Sequence, residues 1–417
     1  MSQEQFDKRY SLEPTRMDNP GLRKRSNFVV EQQKQTLAEI KQRPSNIEWF
    51  ERALDKRGKS SDKPIIGFFC NLAPTEIVYA MGALPLRLCC GNSALVQSGE
   101  EVLHGEICPL VKSSFAEFLD ETNPANRCAA IIMPTTCDPK RKLGEALSDY
   151  KPTFMLNLPP EQDFSRFSKM MTKELERMAG FMGEQLGTKL KRKPLLDAIK
   201  IGQRRSYITR RLQELRAEKP AAICVRDAFI VMQSSFAAVE LEEWIEQAER
   251  VIAEIESYEP KRLRIRPRMI LTGAPIVWPN FKLLNLIEES GADVVADTLC
   301  NGFQGCCDAV TYDEKGRTAL LRALASKYIF GSPCPCFISQ ATRISRVLEL
   351  VDQYKADGVI NYGLRLCQLF DIEVYRLARV LKSKKIPFAN IRTDYSIEDK
   401  EQLRVRLEAF LETVGED

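Results

Sequence analysis

From Lys63 to about residue 160, short apolar runs alternate with proline and glycine: "PIIGFFC", "PTEIVYAMG", "LPLRLCC", "CAAIIMPTTC" and "KPTFMLNLPP". Apolar runs of this length, bounded by turn residues, read as strands alternating with short helices, and that alternation suggests a parallel sheet. The texture then changes to long charged stretches with helical spacing, among them "SKMMTKELERMAGFMGEQLG" and "AAVELEEWIEQAERVIAEIESYEP", which predict a helical connection over residues 161–264. Alternation resumes with "RMILTGAP", "ADVVADTLC", "KYIFGSPCPC", "DGVINYGLRLC" and "IPFANIRTD", and closes on the helical pattern "EDKEQLRVRLEAFLETV". Ahead of all this, residues 1–60 are polar and charged, with an amphipathic stretch "NIEWFERALDKRG" that Gly58 is placed to stop. The predicted fold is therefore α/β. Two parallel-sheet domains of Rossmann- or flavodoxin-like kind, at 61–160 and 265–417, follow a helical N-terminal segment and are joined by the helical connection.

Composition narrows the classes of function. The chain has 417 residues, 61 Lys and Arg against 57 Asp and Glu, and a net charge of +4. So even a balance leaves no broad electrostatic footprint for nucleic acid. The local basic runs "LKRK" at 190–193 and "RLRIRPR" at 262–268 read as solvated faces. No run approaches the roughly 18 apolar residues of a membrane span, and the first fifty residues hold no apolar signal core, so a cytoplasmic protein away from the membrane is expected. "ALDKRGKS" at 53–60 nearly spells a phosphate-binding loop. Ala53 stands where the first glycine belongs, however, and a helix-like segment precedes it instead of a strand. Any use of ATP would fall to a partner.

The thirteen cysteines change the picture most. Reducing compartments keep thiols free, so an odd count in a chain of this length points to metal or redox chemistry and away from a disulfide scaffold. Cys70 ends "PIIGFFC", Cys137 follows "AAIIMPTT", Cys300 ends "DVVADTLC", Cys334 and Cys336 follow "KYIFGSP", and Cys367 ends "GVINYGLRLC". In open parallel sheets ligands gather beyond the carboxyl ends of the strands, where these positions are expected. Cys108 precedes Pro109 and Cys137 precedes Asp138 and Pro139, which predicts helix N-termini at both. Free amides and the helix dipole there favour the thiolate that a metal needs, and they can donate to the sulfurs of an anionic cluster.

Structural zinc takes tightly spaced C-x2-C pairs, and the chain has none. Iron–sulfur clusters can draw their cysteines from separate loops. In "CPC" the proline keeps both thiols near one place, which suits one ligand and one neighbour, with the choice between Cys334 and Cys336 open. Cys128 and Cys224 read as buried small hydrophobes, and the adjacent pairs Cys89–Cys90 and Cys306–Cys307 as packing. The single histidine, His104, reads as a solvated loop residue.

Taken together, "GFFCNLAPTE", "ICPLVKSSFAEF", "MPTTCDPKRKL", "SPCPC", "DGVINYGLRLC" and "IRTDYSIEDKEQLRVRLEAF" resemble the superfamily of 2-hydroxyacyl-CoA dehydratase and benzoyl-CoA reductase subunits, from about residue 60 to the end. The resemblance implies one 4Fe-4S cluster held by Cys108, Cys137 and Cys367. It is greatest to the branch of double-cubane cluster proteins. There Cys70, Cys300 and one of Cys334 or Cys336 would complete six thiolates for two bridged 4Fe-4S units, their division between the cubanes left open. It further implies a dimeric, ATP-hydrolysing iron–sulfur activator as electron donor, a homodimeric oxidoreductase, and a small unreactive substrate such as acetylene. The alternative it implies is a lyase, a 2-hydroxyacyl-CoA dehydratase subunit that forms a ketyl radical of an acyl-CoA.

Overall fold

The computed structural model describes residues 14–58, 61–258 and 266–414. In chain order the elements are helices α1 (Pro20–Ala38) and α2 (Ile47–Lys56), strand β1 (Ile65–Phe68), α3 (Thr75–Ala80), β2 (Leu84–Arg87), α4 (Ala94–Glu100), α5 (Pro109–Leu119), β3 (Cys128–Pro134), α6 (Asp138–Leu147) and β4 (Thr153–Leu156). Four helices follow: α7 (Phe164–Leu186), α8 (Arg192–Arg216), α9 (Val225–Ser234) and α10 (Leu241–Glu256). The second half runs β5 (Arg268–Gly273), α11 (Lys282–Glu289), β6 (Asp293–Asp297), α12 (Arg317–Ala325), α13 (Ala341–Tyr354), β7 (Gly358–Leu364), α14 (Gln368–Ser383), β8 (Phe388–Thr393) and α15 (Lys400–Val414).

Both sheets are parallel and share one topology, β2-β1-β3-β4 and β6-β5-β7-β8. In this flavodoxin-like order the chain reverses direction across the sheet between the first and third strands of each half, so a crevice opens at their carboxyl ends. Side chains alternate between faces, as strand geometry requires. On β3, Ile131 and Met133 join the core shared with the second sheet, whereas Ala130 and Ile132 face α7, α8 and α12. Residues 161–258 are thus packed into both cores: Leu175 and Met178 of α7 cover the first sheet, while Phe229 and Trp244 of α9 and α10 lie in the core that contains Leu271 and Val295.

Local signals bound the helices. Asn19 Oδ1 accepts from Leu22 N at 2.9 Å with Pro20 in the first turn, and Asp163 Oδ1 accepts from Arg166 N at 3.1 Å to open α7. α2 stops two residues before Gly58, with Arg57 itself left-handed (φ 43°). The first 13 residues of the predicted N-terminal segment lie outside the described residues.

Two expectations are corrected. "KYIF" does not form a strand; Ser326–Phe330 continue α12 as one wide helical turn. Leu320, Leu321, Leu324, Ala325, Tyr328 and Ile329 recur at helical spacing and all reach one core, so packing of that stripe overrides the strand-like composition. Cys334 therefore follows a helical turn and no strand. The basic run at 262–268 is only partly open to comparison, since 262–265 lie outside the described residues, but Arg268 is buried and donates to the carbonyls of Tyr354 at 2.8 Å and Ala217 at 2.9 Å. It ties β5 to α13 and α8 instead of facing solvent. Lys191, Arg192 and Lys193 of the other run are exposed.

Candidate functional site

The carboxyl ends of both sheets open onto one cavity of about 110 Å³. Six of the seven cysteines singled out from sequence line it: Cys70, Cys108, Cys137, Cys300, Cys334 and Cys367. Each arrives on its own loop. Cys70 stands two residues beyond β1 and adopts a left-handed conformation (φ 58°) that a side chain bearing a Cβ takes only when its surroundings impose it. Leu366, immediately before Cys367, is left-handed as well (φ 64°). Backbone strain thus sits beside two of the six thiols.

Cys108, Cys137 and Cys367 occupy the caps of α5, α6 and α14, with Pro109 in the first turn of α5 and Pro139 in that of α6. The capping of α14 by Cys367 carries no proline signal and went unpredicted. Electrostatically the six fall into two neighbourhoods. Cys367 feels Cys108 and Cys137, while Cys70 feels Cys334, and Cys300 feels Cys70.

Several bonds hold these loops against each other. Asn71 Nδ2 donates to the carbonyl of Cys300, and Arg87 reaches the same carbonyl at 3.5 Å while donating to Asn71 Oδ1. This fastens the loop after β1 to the loop after β6. Beyond β2, Gly91 N donates to the carbonyl of Trp278 at 3.1 Å, and a Cβ at Gly91 would stand 1.9 Å from the carbonyl oxygen of Val277. Only glycine lets these two loops lie so close. The Cys334 loop is anchored by Gln162, whose Nε2 donates to the carbonyls of Ile329 at 2.6 Å and Ser332 at 2.7 Å.

Cys336 does not line the cavity. It hydrogen-bonds to Cys334 and is the first cause of the lowered Cys334 pKa, while its own is raised. Other lining thiols behave differently. Burial pushes Cys300 and Cys367 each up to about 12. Cys108 is also raised, which corrects the expectation of a thiol lowered by its helix N-terminus: burial outweighs the amides of Val111 and Leu110. Such thiols lose their protons only against added positive charge, as a metal supplies.

Three cations share the cavity wall: Lys140, Lys327 and Arg343. Arg343 is paired with Glu373 Oε2 at 2.6 Å, and Lys327 with Glu76 Oε1 at 3.4 Å. Lys140 differs. Its Nζ lies 2.7 Å from Cys70 Sγ, and among the described residues it forms no ion pair with a carboxylate. Burial disfavours its charge, yet Cys70, Cys89 and Cys137 hold the ammonium well above the usual lysine range. Sequence reading passed over Lys140, although its place three residues after Cys137, where helical side chains lean back toward the N-terminus, was the available signal. Arg343 had no local signal at all.

The other cysteines do not line the cavity. Cys90, Cys128, Cys306 and Cys307 are buried, and Cys89 and Cys224 are partly so, Cys224 capping α9 by accepting from Asp227 N at 3.5 Å. His104 is exposed and accepts from Glu106 N at 3.1 Å. Among the described residues no three His, Cys, Asp or Glu side chains close around a single metal ion. Six sulfurs spread round a cavity suit a polynuclear group, whose metals stand apart, better than one ion. No helix of the described residues is long and apolar enough to cross a membrane.

Residues 70–414 match the family model described as 2-hydroxyglutaryl-CoA dehydratase, D-component. YjiM of Escherichia coli (strain K12) is 29% identical over 355 residues, covering 84% of this chain and 91% of that protein. The beta subunit of (R)-2-hydroxyglutaryl-CoA dehydratase from Acidaminococcus fermentans is 23% identical over 375 residues, covering 85% of this chain and 94% of that protein. A benzoyl-CoA reductase subunit of Thauera aromatica is 22% identical over 361 residues, covering 84% of this chain and 91% of that protein.

Proposed function

From the premise that the chain belongs to the 2-hydroxyglutaryl-CoA dehydratase D-component family, one of dehydratases and reductases, we propose that it is the iron–sulfur component of a reductase. It takes low-potential electrons from an ATP-hydrolysing iron–sulfur activator and delivers them to a small unreactive molecule. The observation that carries this reading is the convergence of six cysteines, from six separate loops, on one cavity. Three thiols suffice for one 4Fe-4S cluster with an open iron; six match two.

In this reading Cys108, Cys137 and Cys367 hold one cubane, and Cys70, Cys300 and Cys334 the other, following the two electrostatic neighbourhoods. Cys334 is the ligand of the "CPC" pair because it alone faces the cavity. Cys336 is its hydrogen-bonding neighbour. When bound, the double-cubane group supplies low-potential electron transfer and an iron position for substrate. The chain's own residues do the rest. The N-termini of α5, α6 and α14 present amides toward the sulfurs, Arg343 and Lys140 place positive charge beside an anionic group, and the apolar Leu72, Leu364 and Phe370 of the lining limit water. No phosphate-binding motif exists in the chain, so ATP is hydrolysed by the partner, and two copies of this chain form a homodimer in the cytoplasm.

The relatives favour a second reading, a dehydratase subunit with one 4Fe-4S cluster and a separate partner subunit that acts on a 2-hydroxyacyl-CoA. Iron and acid-labile sulfide per chain, counted on protein purified without oxygen, together with an EPR spectrum after reduction, separate the two. About eight irons per chain support the double-cubane reading, and about four, the content of one cubane, support the dehydratase. Iron bound without any redox response to an activator would mean storage, and both readings would fall.

A further inference from the structure

Resting on the iron–sulfur reading, we propose that Lys140 is a positioning residue for the added electron, a fixed cation that raises the reduction potential of the group held by the six cysteines. Arg343 and Lys327 each bring their own carboxylate, Glu373 and Glu76. Lys140 brings none among the described residues, and its hydrogen-bond partner is a sulfur, Cys70 Sγ at 2.7 Å. An ammonium so placed is costly unless an anion of the site balances it. Within the cavity lining the protein has therefore set one positive charge without a carboxylate against the cysteine sulfurs, and Arg87, outside the lining, adds its charge at Cys300.

Its position is fixed from below. Lys140 is the third residue of α6, a helix capped by Cys137 and closed in its first turn by Arg141 N donating to the carbonyl of Cys137 at 3.0 Å. The charge consequently reaches both thiol neighbourhoods: Cys70 on one side, and Cys137, Cys108 and Cys367 on the other. Thr136, also from the loop before α6, stands 3.5 Å from Cys70 Sγ. Reduction adds one electron from the activator and breaks no N–H bond of Lys140. The cluster gains negative charge while the lysine keeps its own, so the attraction grows on reduction and favours the reduced form. A hydrogen bond to a ligand sulfur acts in the same direction. Lysine suits this better than arginine in one respect, since its ammonium is a compact point charge on a flexible stem.

The test is an EPR-monitored redox titration of the iron-loaded protein, with iron and sulfide counted on every variant. K140M is expected to keep its iron and move its midpoint to more negative potential, and K140R to stay near the wild type. A K140M protein with full iron and an unchanged midpoint overturns the proposal. Should K140M fail to load, K140Q carries the test, because its amide can still donate to Cys70 without a charge. A K140Q midpoint equal to wild type would make Lys140 a mere tether of the Cys70 loop and overturn the proposal; a lowered one supports it. Metal-free K140M gives a second readout: a melting temperature no lower than that of metal-free wild type is expected, and a clear drop favours the tether. A wild type without iron is a different failure, that of the iron–sulfur reading itself.

Discussion

The Tyr328 hydroxyl donates to Glu76, 2.7 Å from Oε2 and 3.0 Å from Oε1, and so joins the helical turn ahead of Cys334 to the first turn of α3, just beyond Cys70. Glu76 is 1% exposed, and the only other donor at hydrogen-bond distance among the described side chains is Lys327. Tyr328→Phe is expected to leave a buried carboxylate short of a partner and cost about 1–3 kcal/mol. A urea titration of the metal-free protein reads this loss. Iron content should persist, because no thiol is touched.

The cysteine substitutions are expected to sort by the cavity wall. Cys108→Ala, Cys137→Ala or Cys367→Ala removes a thiolate common to both readings of the family and should lose iron. Cys70→Ala or Cys300→Ala should lower iron sharply in a double-cubane protein and scarcely at all in a single-cubane one. Cys334→Ser should behave like Cys70→Ala, whereas Cys336→Ser keeps its iron. Iron analysis with the visible spectrum checks all of these. Equal loss from both members of the "CPC" pair would contradict the assignment of Cys334.

Arg216 and Asp297 form a buried ion pair at 2.8 Å, with Asp297 wholly inaccessible. Asp297 Oδ1 also accepts from Leu299 N at 3.1 Å and Phe303 N at 3.0 Å, shaping the loop that presents Cys300. Replacing Arg216 by Met strands the carboxylate, at an expected cost of about 3–5 kcal/mol. The denaturation midpoint should fall, and the Cys300 thiol of the metal-free protein should react faster with an alkylating reagent. Unchanged reactivity would separate the ion pair from the loop.

Acid should loosen the start of α15 through Asp399. Burial pushes this carboxylate up, but bonds from Lys282 Nζ at 2.7 Å and Thr393 Oγ1 at 2.6 Å outweigh it and hold its pKa below the usual carboxylate range. A lowered native pKa means that the unfolded chain binds more protons at acid pH. The stability from Asp399 is complete above the ordinary aspartate value and is lost as pH falls through the native one. Asp399→Asn should therefore cost about 1–3 kcal/mol at pH 7, with the gap from wild type closing below about pH 4. Urea midpoints at a series of pH values decide it; a gap that stays constant would place the loss in packing.

Much of the fold was legible in the chain because its signals are local. Eight of the ten quoted apolar runs became strands, while "PTEIVYAMG" formed α3 and "KYIFGSPCPC" a helical turn and loop, and Pro109 and Pro139 marked helix starts because a missing N–H costs nothing there. The run "KYIF" misled because strand-like composition and a helical stripe overlap in it, and only the core against α7 chose between them. Four of the candidate thiols, Cys70, Cys137, Cys300 and Cys367, were legible for a related reason: residues just beyond parallel strands gather at one edge whatever the details of packing.

What the sequence by itself determined is thus the set of strand-end cysteines and the absence of a nucleotide motif, both consequences of residue type and short-range order. Tertiary structure decided the rest. That two separate sheets turn their carboxyl edges to one cavity, that Cys334 faces it and Cys336 does not, and that Lys140 meets Cys70 across 70 positions of chain, depends on contacts between distant segments. Such contacts are fixed by the packing of α7, α8 and α12 over the first sheet and by close approaches such as Gly91 against Val277. No local pattern encodes them, because their energy is gained only when both partners are already in place.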